Sequence, residues 1–512
     1  MSLLDDRLSR LGAHRLQGIR RGIEKESLRS LPGGGLARTP HPVALGSALT
    51  HPHITTDYCE AQLELITGVH AGVQDCLDEL TRIHQFTYRT LADERYGIGN
   101  EQLWVGSMPC GLPPDENIIT GTYGTSNIAR AKSVYRMGLG HRYGRRMQTI
   151  SGIHYNWSMP GLGNDEHFAL IRNFRRHAFL LLALFGASPA VCPSFVDGRD
   201  HGLQRLSEDT LYQPHATSLR MGHLGYQSEA QASLAVSYNG LEGYAASLHT
   251  ALTEPYAPYE AIGIKNLGGE YNQLATTLLQ IENEFYGTIR PKRVIQPGER
   301  PLHALRQRGV EYIEVRCMDL DPFVPVGIAA PTLRFLDVFL LHCLLQDSPP
   351  DTPEEIAALG RNQHRTAAFG RQPGLTLERD GHDVALLDWA MQLLDECAPL
   401  AAALDAVHGT VDYSAALAAA RGGLLAMDTL PSARVLDTMH SDFADSYTAF
   451  IKAQSTQTRQ HLMALAWSPE QQAAFERMAR VSLDERRAIE AADTVDFETF
   501  RQAYLAPQRL VV

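Results

Sequence analysis

The chain has 512 residues, 44% apolar and 20% charged, enough for one large enzyme or two to four ordinary domains with a sizeable core. Its formal charge of −12 argues against a nucleic-acid binder, which shows a basic patch or stripe. Seven scattered cysteines without C-x-x-C spacing argue against a zinc site and point to reduced thiols rather than a disulfide framework.

Residues 1–18 carry Asp5 and Asp6 near the start and alternate charge with leucine. They read as a short amphipathic helix rather than a secretory leader, which needs a basic start and an apolar run. Residues 22–28 read as a strand with Glu24 and Glu26 on one face and Ile23 on the other. Leu31-Pro32-Gly33-Gly34-Gly35 is a turn linking two strands. Over 54–66, Glu64 sits between two leucines that would pack behind it, and Asp57 precedes it by several strand steps or about two helical turns. Over 152–157, His154 and Asn156 share a face opposite Ile153, Tyr155 and Trp157.

Residues 166–184 read as a helix with Leu170, Phe174, His177 and Leu181 along one side. The most apolar stretch, 179–185, is far shorter than the roughly 20 residues of a membrane span. A soluble, cytoplasmic protein is expected. Over 311–316, Glu314 and Arg316 share a face opposite Ile313 and Val315. Beyond residue 335 the pattern turns helical, with start signals at Thr352-Pro353-Glu354-Glu355 and Ser468-Pro469-Glu470-Gln471. The alanine-rich run 415–420 is a good helix former. The expected architecture is α+β: residues 1–335 as a core built on an antiparallel sheet, and 336–512 as a helical layer packed on it in one unit.

Taken singly, the acidic strand faces read as solvated outer faces of antiparallel strands. Taken together they are dominated by acids, and few flexible residues surround them. Carboxylates that converge would raise one another's pKa, and divalent cations would relieve that cost. Oxygen ligands with one imidazole suit Mg²⁺ or Mn²⁺ rather than zinc, and Mg²⁺ commonly bridges carboxylates to substrate phosphates. Neither a Walker A loop nor a kinase glycine loop is present in the sequence. Arg136, Arg220, Arg290, Lys292, Arg293 and Arg316 are candidates to clamp phosphate or carboxylate. Surface ion pairing is the competing reading for each except Arg316, which shares a strand face with Glu314.

Several of these segments, in order, resemble the proteobacterial glutamate–cysteine ligases. They are Gly22-Ile23-Glu24-Lys25-Glu26-Ser27-Leu28-Arg29, Ala44-Leu45-Gly46-Ser47-Ala48-Leu49-Thr50-His51 with Ile54-Thr55-Thr56-Asp57, and Tyr123-Gly124-Thr125-Ser126-Asn127. Gln148-Thr149-Ile150-Ser151-Gly152-Ile153-His154-Tyr155-Asn156, Phe185-Gly186-Ala187-Ser188-Pro189-Ala190 and Ala216-Thr217-Ser218-Leu219-Arg220 continue the series. It ends on Ile289-Arg290-Pro291-Lys292-Arg293 and Glu311-Tyr312-Ile313-Glu314-Val315-Arg316. The resemblance covers roughly residues 20–325.

It implies a glutamine-synthetase-like antiparallel sheet forming a funnel that holds Mg²⁺ ions. It implies ATP-dependent ligation of glutamate to cysteine through a γ-glutamyl phosphate, as the first step of glutathione synthesis. By motif, Glu24, Glu26, Asp57, Glu64, His154 and Glu314 would be metal ligands. Arg220 would hold the α-carboxylate of glutamate, and Arg316 would sit at the transferred phosphate. Tyr58, Tyr135, Tyr226 and Tyr286 would surround cysteine, with Tyr58 standing where the best-known relative has phenylalanine. Glutathione would act as a feedback inhibitor of a monomeric enzyme, and no residues for the adenine are implied. The nearest alternative is a γ-glutamyl ligase using another amine. A two-carboxylate glycoside hydrolase explains a pair of acids but not five on separate segments, and the intact ligand set weighs against an idle binding protein.

Overall fold

The computed structural model describes residues 3–510 except 94, 96–99, 226–228, 233 and 297. Seven strands form an antiparallel sheet: β1 (Arg20–Ser30), β2 (Ile54–Thr56), β3 (Gln62–Ile66), β4 (Gln102–Leu103), β5 (Ile153–Ser158), β6 (Ile289–Lys292) and β7 (Tyr312–Met318). Their order is β2-β3-β1-β5-β7-β6, with β4 pairing the far end of β1.

Alternation gives this sheet two chemically different faces. The polar face looks across a cavity to α1 (Asn127–Tyr143), whose first turn is capped by the Ser126 side chain accepting from the Ala129 amide. On the other face Ile23, Tyr155, Val315 and Ile289 lie opposite one another and belong to the main hydrophobic core. That core includes α2 (Asn164–His177), α3 (Phe179–Phe185) and α4 (Ala330–Leu345). Full burial of each such side chain is worth roughly 1.5–3 kcal/mol. A buried carboxylate, Asp337 of α4, takes hydrogen bonds from Arg21 at 2.9 Å and from Tyr155 at 2.7 Å, which fixes the helix against the strands. Lys25 also points to this side, within hydrogen-bonding reach of Ser27 and His84, and burial pushes its amine down to about 7.

The N-terminal segment is helical over Leu3–Leu11 and Ala13–Gln17. The helix expected over 166–184 is instead two, α2 and α3, meeting at Ala178, whose carbonyl accepts from the Leu181 amide at 3.1 Å. Apolar spacing runs through the joint, so periodicity cannot reveal it. Leu36 makes only an isolated bridge back to Ser30, so the 31–35 turn leads into no second strand.

The helical part begins with α4 at Ala330, and the caps at Thr352 and Ser468 form as expected. A hairpin of Thr376–Arg379 and His382–Ala385 interrupts it. Its turn, Asp380-Gly381, has both residues at positive φ, and Asp-Gly is the usual signal for such a turn. Cys110 and Cys192 form a disulfide, correcting the expectation of free thiols throughout; their spacing of 82 residues leaves no local mark. The other five cysteines are free and buried. Among the described residues, no helix is long and apolar enough to cross a membrane.

Candidate active site

Strand register puts polar side chains from distant segments side by side. Glu24 lies opposite His154, Glu26 opposite Glu64, and Glu314 opposite both Asn156 and Arg290. Asp57 and Tyr58 come from the turn that joins β2 to β3. A cavity of about 260 Å³ between this face and α1 is lined by Glu24, Glu26, Asp57, Glu64, His154 and Glu314 together. The reading as solvated outer faces fails for Glu26, His154 and Glu314, which are buried.

His154 is the hub. Its Nδ1 lies 3.1 Å from Glu24 and 3.6 Å from Glu314, and its Nε2 lies 3.7 Å from Glu26. The Asn156 amide donates to Glu24 at 2.9 Å, and the Gly152 backbone N–H donates to Glu26 at 2.7 Å. Around Glu314, Arg316 approaches to 3.0 Å, Lys292 to 3.3 Å and Arg290 to 3.9 Å.

These surroundings separate the acids. Burial and Asp57 push Glu26 up to about 8. Burial with Glu24, Asp57 and Glu26 nearby carries Glu64 well above the usual carboxylate range. Burial acts on Glu314 in the same direction, but Arg316, Lys292 and His154 together hold it well below. Burial and Arg316 lower His154, so its imidazole is neutral near pH 7 and a ring nitrogen is available as a ligand. Glu24, His154 and Glu314 each bring one ligand atom within 4.8 Å of the others. A divalent cation fits there: the donors are oxygen and one imidazole, and the crowded carboxylates gain from added positive charge.

The basic candidates divide. Arg136 of α1 lines the cavity and donates to the Asp57 carbonyl, and Arg290, Lys292 and Arg316 line it too. Arg293 turns away and pairs with Glu311 at 3.6 Å. Buried Arg220 lies in an adjoining space of about 60 Å³ shared with His154, Tyr286 and Arg316, and donates to the Arg316 carbonyl at 2.8 Å.

Tyr58, Tyr135 and Tyr286 line the main cavity, with the Tyr286 hydroxyl accepting from Gln148 at 2.8 Å. Tyr226 lies outside the described residues. Among the cavity residues to which the sequence reading gave no role are Lys132, Gln148 and Tyr504. Lys132, one helical turn before Arg136, could have been found from that spacing; Tyr504 left no signal. The whole is an acid-walled cavity edged by guanidinium groups, suited to holding a polyanion through bridging cations.

Residues 7–366 match the family model for glutamate-cysteine ligase. The chain is 47% identical to the glutamate–cysteine ligase of Pseudomonas fluorescens, over 98% of this chain and 97% of the relative. It is equally similar, at 47%, to that of Azotobacter vinelandii, over 98% of each. The crystal structure of the Francisella tularensis glutamate–cysteine ligase in complex with AMP superposes with a TM-score of 0.90 at 34% identity, covering 96% of this chain and 98% of that one. A bifunctional glutathione synthetase from Pasteurella multocida shares the fold at a TM-score of 0.71 and 23% identity, over 94% of this chain and 58% of that one.

Proposed function

From the premise that this chain belongs to the glutamate–cysteine ligase family, we propose that it couples ATP hydrolysis to joining the γ-carboxylate of glutamate to the amine of cysteine. The product, γ-glutamylcysteine, is the first intermediate of glutathione synthesis. The observation that carries this reading to particular residues is the meeting of six ligand candidates, from four distant segments, in one cavity beside Arg316.

In this reading the γ-phosphoryl group of ATP passes to a glutamate carboxylate oxygen, releasing ADP. The cysteine amine then attacks the acyl carbon, the C–O bond to phosphate breaks, and the nitrogen gives up a proton. A free carboxylate is a poor acyl donor, and phosphorylation supplies the leaving group. Arg316 places a fixed positive charge at the group in transfer, and Arg220 holds the α-carboxylate of glutamate with its two-pronged guanidinium. Tyr58, Tyr135 and Tyr286 surround the cysteine.

Glu24, Glu26, Asp57, Glu64, His154 and Glu314 would hold Mg²⁺, with Mn²⁺ as a substitute. Such ions, when bound, neutralise phosphate charge and hold the triphosphate in line. The sheet's acidic face thus serves as the wall of a glutamine-synthetase-like funnel. Residues 1–335 carry the chemistry, and 336–512 support them.

The test is ADP release with glutamate and Mg²⁺, with and without cysteine, alongside detection of γ-glutamylcysteine. Equal or faster turnover with another small amine would replace cysteine as acceptor. No ADP with any acceptor would end the reading.

A further inference from the structure

Arg220 is held by buried side chains that line neither the main cavity nor the space adjoining it. It lies on the single turn Leu219–Met221, where the Ser218 hydroxyl accepts from the Met221 amide at 3.2 Å. Asp319 approaches it from the end of β7, three residues after Arg316. Both side chains are almost wholly shielded from water.

The Asp319 carboxylate gathers separate segments. One oxygen accepts from the Ala187 backbone N–H at 2.9 Å and from the Ser188 hydroxyl at 2.6 Å. The other accepts from the Ser218 hydroxyl at 3.0 Å and faces a terminal nitrogen of Arg220 at 3.8 Å. A buried carboxylate needs such donors, because an unpaired charge away from water is costly. The Ser188 and Ser218 segments are also tied through backbone. The Leu219 amide donates to the Ser188 carbonyl at 2.7 Å, and the Ser188 amide donates to the Thr217 carbonyl at 3.2 Å.

The other terminal nitrogen of Arg220 donates to the Arg316 carbonyl at 2.8 Å. Gly152 packs so closely on that nitrogen that a Cβ there would collide with it. The guanidinium is therefore confined on several sides. Its 3.8 Å gap to Asp319 is longer than a hydrogen bond. Asp319 thus orients the guanidinium by charge without taking it in the two-pronged pair that a substrate carboxylate would form.

We propose that Asp319 is a positioning residue of the glutamate site, acting through the Arg220 guanidinium and supported by the Ser188 and Ser218 hydroxyls. The proposal rests on the reading that Arg220 receives the α-carboxylate of glutamate. A fixed countercharge sets the direction of the guanidinium fork before the substrate arrives, so less rotamer freedom is lost on binding.

Asp319→Asn keeps the shape of the side chain and removes its charge. KM for glutamate should rise about ten-fold, the order expected when a charged hydrogen-bonding partner is lost. KM for ATP and for cysteine should stay within about two-fold, a split that general loss of folding does not produce. Ser188→Ala should move KM for glutamate the same way by a smaller factor. Two competitive inhibitors give a finer readout. Glutarate keeps both carboxylates of glutamate, whereas 4-aminobutyrate lacks the α-carboxylate. Asp319→Asn should weaken inhibition by glutarate and leave Ki for 4-aminobutyrate within about two-fold. Equal losses for both would make Asp319 merely structural and overturn the proposal. A folded Asp319→Asn enzyme with unchanged KM for glutamate also overturns it, and Ser188→Ala carries the same test if that variant does not fold. Arg220→Lys separates the two levels. A raised KM for glutamate there, with an unchanged one in Asp319→Asn, rejects Asp319 and keeps the reading of Arg220. Unchanged values in both reject that reading and the proposal with it.

Discussion

The two halves of one sheet face solve the same electrostatic problem in opposite ways. On the β1–β3 side, Glu24, Glu26 and Glu64 crowd together with Asp57, and burial with mutual repulsion lifts Glu26 to about 8 and Glu64 well above its usual range. On the β7–β6 side, Glu314 is buried but ringed by Arg316, Lys292 and Arg290, and it is held well below the usual range. The difference teaches where an added cation is needed. In the first half burial and repulsion outweigh the arginines that reach Glu26 and Glu64, so an added cation would relieve it, whereas in the second the basic side chains already hold Glu314 as an anion. His154 joins them, within 3.1 Å of Glu24 and 3.6 Å of Glu314.

Exchanging a carboxylate for an amide in each half should therefore give different results. The largest effect is expected for Glu314→Gln. It removes the charge proposed to bind metal and leaves three cations facing a neutral group, so kcat should fall by about a thousand-fold, and Mg²⁺ should stabilise the variant little. Near-normal turnover in the folded variant would remove Glu314 from the site. In the crowded half, Glu64→Gln should also slow turnover, yet in EDTA it should melt one or two degrees above the unaltered protein, at about 1 kcal/mol relieved. Mg²⁺ should raise the melting temperature of the unaltered protein more than that of the variant. A lower melting temperature for Glu64→Gln in EDTA would contradict the crowding argument.

A pH series sharpens the same contrast. The Glu26 carboxyl titrates near 4.5 when unfolded and near 8 when folded, so it favours the folded state at low pH and that contribution is lost as pH rises through 8. In EDTA, the melting temperature of Glu26→Gln minus that of the unaltered protein should widen between pH 4.5 and 8 and then level off. Glu314 runs the other way: its contribution is present above the ordinary carboxylate range and is lost as pH falls below it. A gap for Glu26→Gln that narrows with rising pH would show the wrong sign.

Much of this face was legible because strand alternation is local. That Glu24 and Glu26 share a side, as do His154 with Asn156 and Glu314 with Arg316, follows from period two alone. Register is not local, and nothing along the chain announces that Glu24 will sit opposite His154 or Glu26 opposite Glu64. The metal-ligand grouping therefore came from resemblance, not from pattern. The Asp380-Gly381 turn is a local signal that the helical pattern on either side of it masks in the sequence, whereas the Cys110–Cys192 bond depends on tertiary approach. Tyr504 is the extreme case. Its carbonyl meets an arginine 204 residues away, and no periodicity carries that far.

The smallest effect is expected at Lys292. Its ammonium is 3.3 Å from Glu314 but about a quarter exposed, so water and salt screen it, while Arg316 stands closer at 3.0 Å. Lys292→Met should leave Glu314 ionised at neutral pH and cost less than about ten-fold in kcat/KM for ATP, because one of several converging charges is lost. Salt gives the finer readout. A screened cation contributes mainly through long-range attraction, so KM for ATP in the unaltered enzyme should rise with ionic strength more steeply than in the variant. If Lys292→Met instead costs as much as Glu314→Gln, the cations of this half do not substitute for one another. Glu314 would then depend on a single partner, and the contrast between a crowded half and a self-sufficient half would collapse.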